Sequence, residues 1–215
     1  MRENYNSQLA LLSEKMNSMA MLCQQAISLA MCVFTDGDVA LCREVFEKDD
    51  EIDRLEREIE TMCLRLILHQ QPVAGDLRRI SAALKMISDI ERIGDQASDI
   101  AEIAKFVTAN RTEDEEIIKQ MAHSACAMVS DAVKAFADGD LQLARRVMDS
   151  DDEVDRYFDD VRSYIIEHIS ADNSRGEYYI DLLMIAKYLE RIADHATNIA
   201  EWVEFAVTGQ HPKTV

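Results

Sequence analysis

The chain repeats itself. Displaced by 102 residues, Met19 falls on Met121, Ala20 on Ala122 and Phe34 on Phe136. The match then tightens: Asp36, Gly37 and Asp38 meet Asp138, Gly139 and Asp140, and Leu41, Arg43 and Val45 meet Leu143, Arg145 and Val147. Asp49, Asp50, Glu51, Asp53 and Arg54 meet Asp151, Asp152, Glu153, Asp155 and Arg156. Further on the displacement becomes 99, as expected if the second half lacks three residues in the turn that contains Pro72. There Glu91, Arg92, Ile93, Asp95, Ala97, Ile100, Ala101 and Glu102 recur as Glu190, Arg191, Ile192, Asp194, Ala196, Ile199, Ala200 and Glu201, eight identities in the 14-residue window that starts at Asp89. The chain is a tandem duplication of a unit of about 100 residues, and whatever one half folds into, the other folds into as well.

Each copy reads as helix. Six glycines and two prolines in 215 residues supply few of the turns that a sheet protein needs, against average usage of about 7% and 5%. Helical periodicity runs almost unbroken, with interruptions at 36–38, 69–76, 110–112, 138–140 and 170–176. It predicts six helices, at 4–35, 39–69, 76–109, 113–137, 141–169 and 177–208. Most are near 30 residues, or about 45 Å at 1.5 Å per residue. Long helices joined by short turns pack as antiparallel bundles. The expected fold is therefore all-α, a tandem duplication of an antiparallel three-helix bundle, with the first repeat at 1–110 and the second at 111–215.

Residues 16–35 form a run of 20 without a charge, long enough to span a bilayer. However, Glu14, Asn17, Ser18, Gln24, Gln25, Ser28 and Thr35 recur at spacings of three, four and seven. That gathers the polar groups on one stripe and predicts a buried bundle helix instead. The start of the chain has no apolar run with a small-residue cleavage site, so a secretory leader is not expected. Five cysteines without a Cys-x-x-Cys pair, mostly on apolar helical stretches, fit a reduced, cytoplasmic compartment.

The formal charge is −18, from 23 basic and 41 acidic residues. Both halves share it: residues 1–110 hold 12 basic and 19 acidic groups and the remainder 11 and 22. Such a surface repels nucleic-acid backbones and anionic lipid, so neither is an expected partner.

Core positions persist after duplication for packing reasons, but here charged positions persist too. Glu91, Asp95 and Asp99 stand at i, i+4 and i+8, with Glu102 beside them, and the second copy repeats them as Glu190, Asp194, Asn198 and Glu201. Like charges at i, i+4 destabilise a helix by a few tenths of a kcal/mol per pair, so something must offset the repulsion. The second helix of each half supplies a facing line, Asp49 and Asp53 flanked by Asp50, then Asp151 and Asp155 flanked by Asp152. Two such lines on adjacent helices offer four or more hard oxygen ligands, the chemistry of Mg²⁺, Mn²⁺, Ca²⁺ or iron. Two metal sites, one per half, are one reading. Solvated ion pairs with Arg54, Arg92, Arg156 and Arg191 are another, each worth little. Asp36, Asp38, Asp138 and Asp140 read as turn and N-cap residues.

Catalytic motifs do not emerge. No Glu precedes a His by three residues, as a ferritin-like di-iron bundle needs, and there is no H-E-x-x-H, P-loop or G-x-S-x-G. His195 follows Asp194, but its counterpart in the first half is Gln96, which favours an ordinary surface or core histidine. A metal-dependent enzyme or a metal store remains the alternative to a binding or signalling protein. The eleven methionines read first as core filler and second as an adaptable surface.

The sequence resembles the PhoU-type phosphate-transport regulators along nearly its whole length. Gln71, Pro72, Val73, Ala74, Gly75, Asp76, Leu77 and Arg78 resemble the family's turn into its third helix, 89–102 its signature segment, and 189–201 the second copy, followed by the ending near Gly209 and His211. The resemblance implies two similar three-helix bundles whose Glu/Asp-x-x-x-Asp motifs bind metal ions, with Mn, Mg or Fe as the candidates. It places that role on Asp49, Asp53, Glu91, Asp95, Asp151, Asp155, Glu190 and Asp194, with Asp50, Asp99, Asp152 and Asn198 in support. It also implies a non-catalytic adaptor that represses phosphate uptake and the phosphate-starvation response. The implied partners are a sensor histidine kinase and the ATPase subunit of the phosphate ABC transporter, met at the inner face of the membrane. Homodimers are common among relatives and would cover part of the Met-rich first helix. Ala193 stands where the family's glycine is expected and Asn198 where its carboxylate is, so the second site is expected to hold fewer ions or hold them less tightly.

Overall fold

The computed structural model describes residues 2–70, 72, 74–107, 116–171 and 173–210. Helices α1 (Arg2–Asp36), α2 (Leu41–Gln70) and α3 (Ala74–Val107) form the first half, and α4 (Glu116–Asp138), α5 (Leu141–Ala171) and α6 (Gly176–Thr208) the second. The predicted helices are all present, with ends shifted by at most about two residues where both ends are described. A 3₁₀ turn at Asn173–Arg175, which the periodicity does not predict, leads into α6. The expected boundary at 110/111, the expected helix ends at 108–109 and 113–115, Gln71, Val73 and His211 lie outside the described residues.

The duplicated Asp-Gly-Asp turns explain two of the breaks. Gly37 and Gly139 take positive φ angles of 74° and 66°, a conformation that costs any residue with a Cβ and reverses the chain after the helix. The aspartate after each glycine opens the next helix. Asp38 Oδ1 accepts the Ala40 N–H at 3.1 Å, and Asp140 Oδ1 accepts the N–H groups of Gln142 and Leu143 at 2.9 and 3.0 Å.

Within each half every helix packs on the other two, and the halves join through α3 against α6 and α1 against α4. Helices α3 and α6 make the most extensive of these contacts, which is why their buried residues circle much of the helix. Alanines permit the close approach: Ala97, Ala101 and Ala104 on α3, and Ala186, Ala193, Ala196 and Ala200 on α6, are all fully buried. Helices α2 and α5 flank this centre and keep a solvent face. The charge-free run in α1 is a bundle helix, with Met16, Met19, Cys23, Ile27, Val33 and Phe34 buried in the core. Among the described helices it alone is long and apolar enough to cross a membrane by length and composition. Gln24 Nε2 donates from α1 to the Cys126 carbonyl on α4 at 3.4 Å, and Arg79 Nη2 donates from α3 to the Ala137 carbonyl near the end of α4 at 3.2 Å.

All five cysteines are free. Burial pushes the Cys63 thiol up to about 12 and the Cys126 thiol up to about 11, and raises Cys23 and Cys42 as well. Since the thiolate is the reactive form, Ellman's reagent at pH 8 is expected to label Cys32 first and to reach Cys23, Cys42 and Cys63 only after denaturant is added. Rapid native labelling of those three would contradict the packing around them.

Candidate metal centre

Helices α2 and α3 lie side by side and form one wall each of an acidic groove. Asp49 and Asp53 project from α2; Glu91 and Asp95 project from α3, and the charges of Asp95 and Asp53 act directly on Asp49. Gly94 sets the closeness of the two walls. A Cβ there would stand 2.7 Å from Asp49 Oδ1 and 2.9 Å from Ile52 Cδ1, so an alanine would force one of these side-chain ends to move. Ser98 Oγ donates to Asp49 Oδ2 at 2.9 Å, while Oδ1 is buried without a hydrogen-bond partner. A buried acceptor left unmatched is costly, on the order of 1–3 kcal/mol, unless a donor or a cation reaches it.

The electrostatics agree with the crowding. Burial, then Asp95, Asp53 and Asp50, hold the Asp49 carboxyl above the usual carboxylate range against the pull of the Ser98 bond. Burial and then Asp95, Glu56 and Asp53 do the same to Glu91, with Arg92 opposing. Glu56 is a fifth acid of this groove that spacing alone did not single out. It accepts the Ser88 hydroxyl at 3.3 Å, and burial raises it too. Cations reach the groove from its solvent side, Arg57 to Asp53 at 2.7 Å and Arg92 to Glu91 at 3.7 Å.

The second groove, between α5 and α6, repeats this plan with differences. Burial, then Asp194 and Asp155, push Asp151 up to about 6. Burial and then Glu190 raise both Asp194 and Asp155, while Lys187 opposes in each case. Ala193 replaces Gly94, and Val154 replaces Ile52; both are fully buried. The methyl group gained on α6 is thus the one lost from α5, which conserves volume across the contact. Thr197, the counterpart of Ser98, stands beside Asp151 and favours its charged form, although its buried hydroxyl stops short of the bond that Ser98 completes.

Four of the sequence-predicted residues sit outside these two sets of groove acids. Asp50 and Asp152 are exposed at the outer rim, next to Arg54 and Arg156, whose Nε atoms bond the Asp50 and Asp152 carbonyls. Asp99 and Asn198 belong to the junction between the halves. At 3.6 residues per turn an i+8 step rotates by about 80°, which carries them off the groove toward the opposite half. Asp99 accepts the Tyr188 hydroxyl beside Arg191, and Asn198 Nδ2 donates to Asp89 at 3.2 Å. These are the same pair twice, 99 with 188 and 198 with 89. Where the partner is a hydroxyl donor the chain has a carboxylate, and where the partner is a carboxylate it has an amide. His195 joins the second pair through Nδ1 to Asp89 Oδ1 at 2.9 Å. It is a half-buried junction residue, as an ordinary histidine would be.

Among the described residues no three carboxylate, imidazole or thiol groups converge closely enough to hold an ion as they are placed. Yet the donor set is all hard oxygen, one buried oxygen lacks a partner, and a glycine cradle admits it. The residues of the first groove fit a divalent cation on those grounds.

Two bundles, duplicated and joined through their third helices, each with an acidic groove on its flank, define a tandem helical-domain protein. The PhoU domain model matches the chain at 16–104 and again at 118–203. A PhoU homologue from Thermotoga maritima, described as a phosphate-specific transport system accessory protein, is 34% identical over 98% of this chain and 91% of its own. One from Clostridium acetobutylicum is 32% identical over 97% and 96%. The crystal structure of PhoU from Pseudomonas aeruginosa superposes with a TM-score of 0.90 at 31% identity, over 96% of this chain and all of that one. The chain belongs to the PhoU family.

Proposed function

We propose that this protein is a cytoplasmic negative regulator of phosphate uptake and of the phosphate-starvation response, working as an adaptor and not as an enzyme. Its membership of the PhoU family along nearly the whole chain supports this reading. Its partners are the ATPase subunit of the phosphate ABC transporter and a sensor histidine kinase, so the protein works at the membrane without spanning it. A homodimer formed through the methionine-bearing face of α1, where Met21 is 51% exposed, belongs to the same proposal.

The acidic grooves hold divalent metal, Mn, Mg or Fe, and the ion neutralises carboxylates that otherwise repel one another. Asp49, Asp53, Glu91 and Asp95 hold it in the first half; Asp151, Asp155, Glu190 and Asp194 form the second set, which holds it less tightly. Two measurements test the proposal. Deleting the gene should switch phosphate-starvation genes on in high phosphate, and the wild-type gene should restore repression; normal repression without it refutes the regulatory reading. Purified protein should bind Mn²⁺, and a variant with Glu91→Gln, Asp95→Asn, Glu190→Gln and Asp194→Asn should stay helical and lose that binding. Equal binding by both proteins returns the acids to being an ion-paired surface.

A further inference from the structure

We infer that Lys187 is a built-in counter-cation of the second groove and makes the duplicated grooves unequal: the first takes a divalent cation with Glu56 among its ligands, and the second is largely closed to one. The inference rests on the metal-binding reading above. It starts from two neighbouring positions at which the two copies differ. Under the displacements of 102 and 99, Glu56 corresponds to Phe158 and Ser88 to Lys187.

The members of each pair touch. In the first groove Ser88 Oγ donates to Glu56 Oε1 at 3.3 Å, which keeps a fifth carboxylate facing Glu91. In the second, Lys187 Nζ lies 5.4 Å from the Phe158 ring centroid and pairs with Glu190. Its charge also acts, more weakly, on Asp155 and Asp194. An aromatic face holds such a cation in place. A divalent ion entering there would have to displace it or bind against its repulsion.

The cations of the first groove are placed differently. Arg57 and Arg92 have side chains 69% and 59% exposed, against 45% for Lys187, and they pair with Asp53 and Glu91, Arg57 also acting on Glu56. Neither reaches the partnerless Oδ1 of Asp49. That oxygen is the second mark of inequality. Gly94 leaves room for it in the contact between α2 and α3, whereas the corresponding position on α6 carries the methyl group of Ala193.

Mn²⁺ titration of the full chain, stripped of metal by chelator and followed by the EPR signal of free Mn²⁺ at pH 7.5, tests this. The wild type should show one class of tight sites, abolished by Asp49→Asn with Asp95→Asn and untouched by Asp151→Asn with Asp194→Asn. Lys187→Met keeps the stem on Phe158 but removes the charge; it should expose a second class, which Asp151→Asn with Asp194→Asn then removes. Transplanting the pair, Glu56→Phe with Ser88→Lys, should weaken the first class about tenfold or more, the scale on which losing a group around a metal site acts. Two equal classes in the wild type, or no second class in Lys187→Met, overturn the inference and leave the metal reading intact. Failure of every protein to bind Mn²⁺ overturns both.

Discussion

Gly94→Ala should destabilise the protein by about 1–2 kcal/mol, although alanine is the better helix former. The methyl group would stand 2.7 Å from Asp49 Oδ1 and 2.9 Å from Ile52 Cδ1 in a fully buried contact. Overpacking of this kind costs about 1–3 kcal/mol, and the gain in helix propensity returns about 0.5–1 kcal/mol. The second half already contains the remedy, since alanine at 193 is accompanied by Val154 at the position of Ile52, one methylene shorter. Ile52→Val alone should cost about 0.5–1.5 kcal/mol as a small cavity. Together the two substitutions should cost less than their sum, with a coupling of at least about 0.5 kcal/mol. Urea unfolding of the four proteins in the cycle measures it. Strict additivity would mean that Gly94 and Ile52 do not share the contact described.

Much of this was legible in the sequence, because duplication and helical period are both questions of spacing. The six helices follow from periodicity, and the Asp-Gly-Asp turns announce both the left-handed glycine and the cap that restarts the chain. The acidic walls follow from the i, i+4 acids retained in both copies. The same filter hid other residues. Glu56 lies three residues beyond Asp53 on the groove face, but its counterpart is Phe158, so a search for retained acids passes over it; Lys187 is missed in the same way. Ser98 and Thr197 are retained hydroxyls seven residues after Glu91 and Glu190, almost directly above them on the helix, and that spacing was the available signal. Asp99 and Asn198 illustrate the opposite limit of spacing. A line drawn at i, i+4, i+8 drifts around the helix, and only the packing of α3 on α6 reveals that its last member faces the other half.

The pH dependence of stability should separate a crowded acidic groove from a merely acidic surface. Asp151 is pushed up to about 6 in the folded protein, from an ordinary 3.8, by burial and by Asp194 and Asp155. Between those values the folded state binds more protons than the unfolded chain. Stability from this group is therefore complete below the ordinary value and is lost as pH rises through about 6. Asp49, Glu91, Asp155 and Asp194 are shifted in the same direction. Metal-free protein should accordingly melt higher at pH 5 than at pH 7.5. A shift of this size corresponds to about 3 kcal/mol in full, which partial solvent exposure reduces to about 1 kcal/mol. Asp151→Asn should recover that amount at pH 7.5 and flatten the profile. Asp160→Asn, on the exposed face of the same helix, removes the same charge from the molecule and should change little. Equal effects from the two would assign the profile to the net charge of −18 and not to the groove. Added Mn²⁺ should raise the melting temperature at pH 7.5 and lose that effect near pH 4, because carboxylates must be deprotonated to bind a metal.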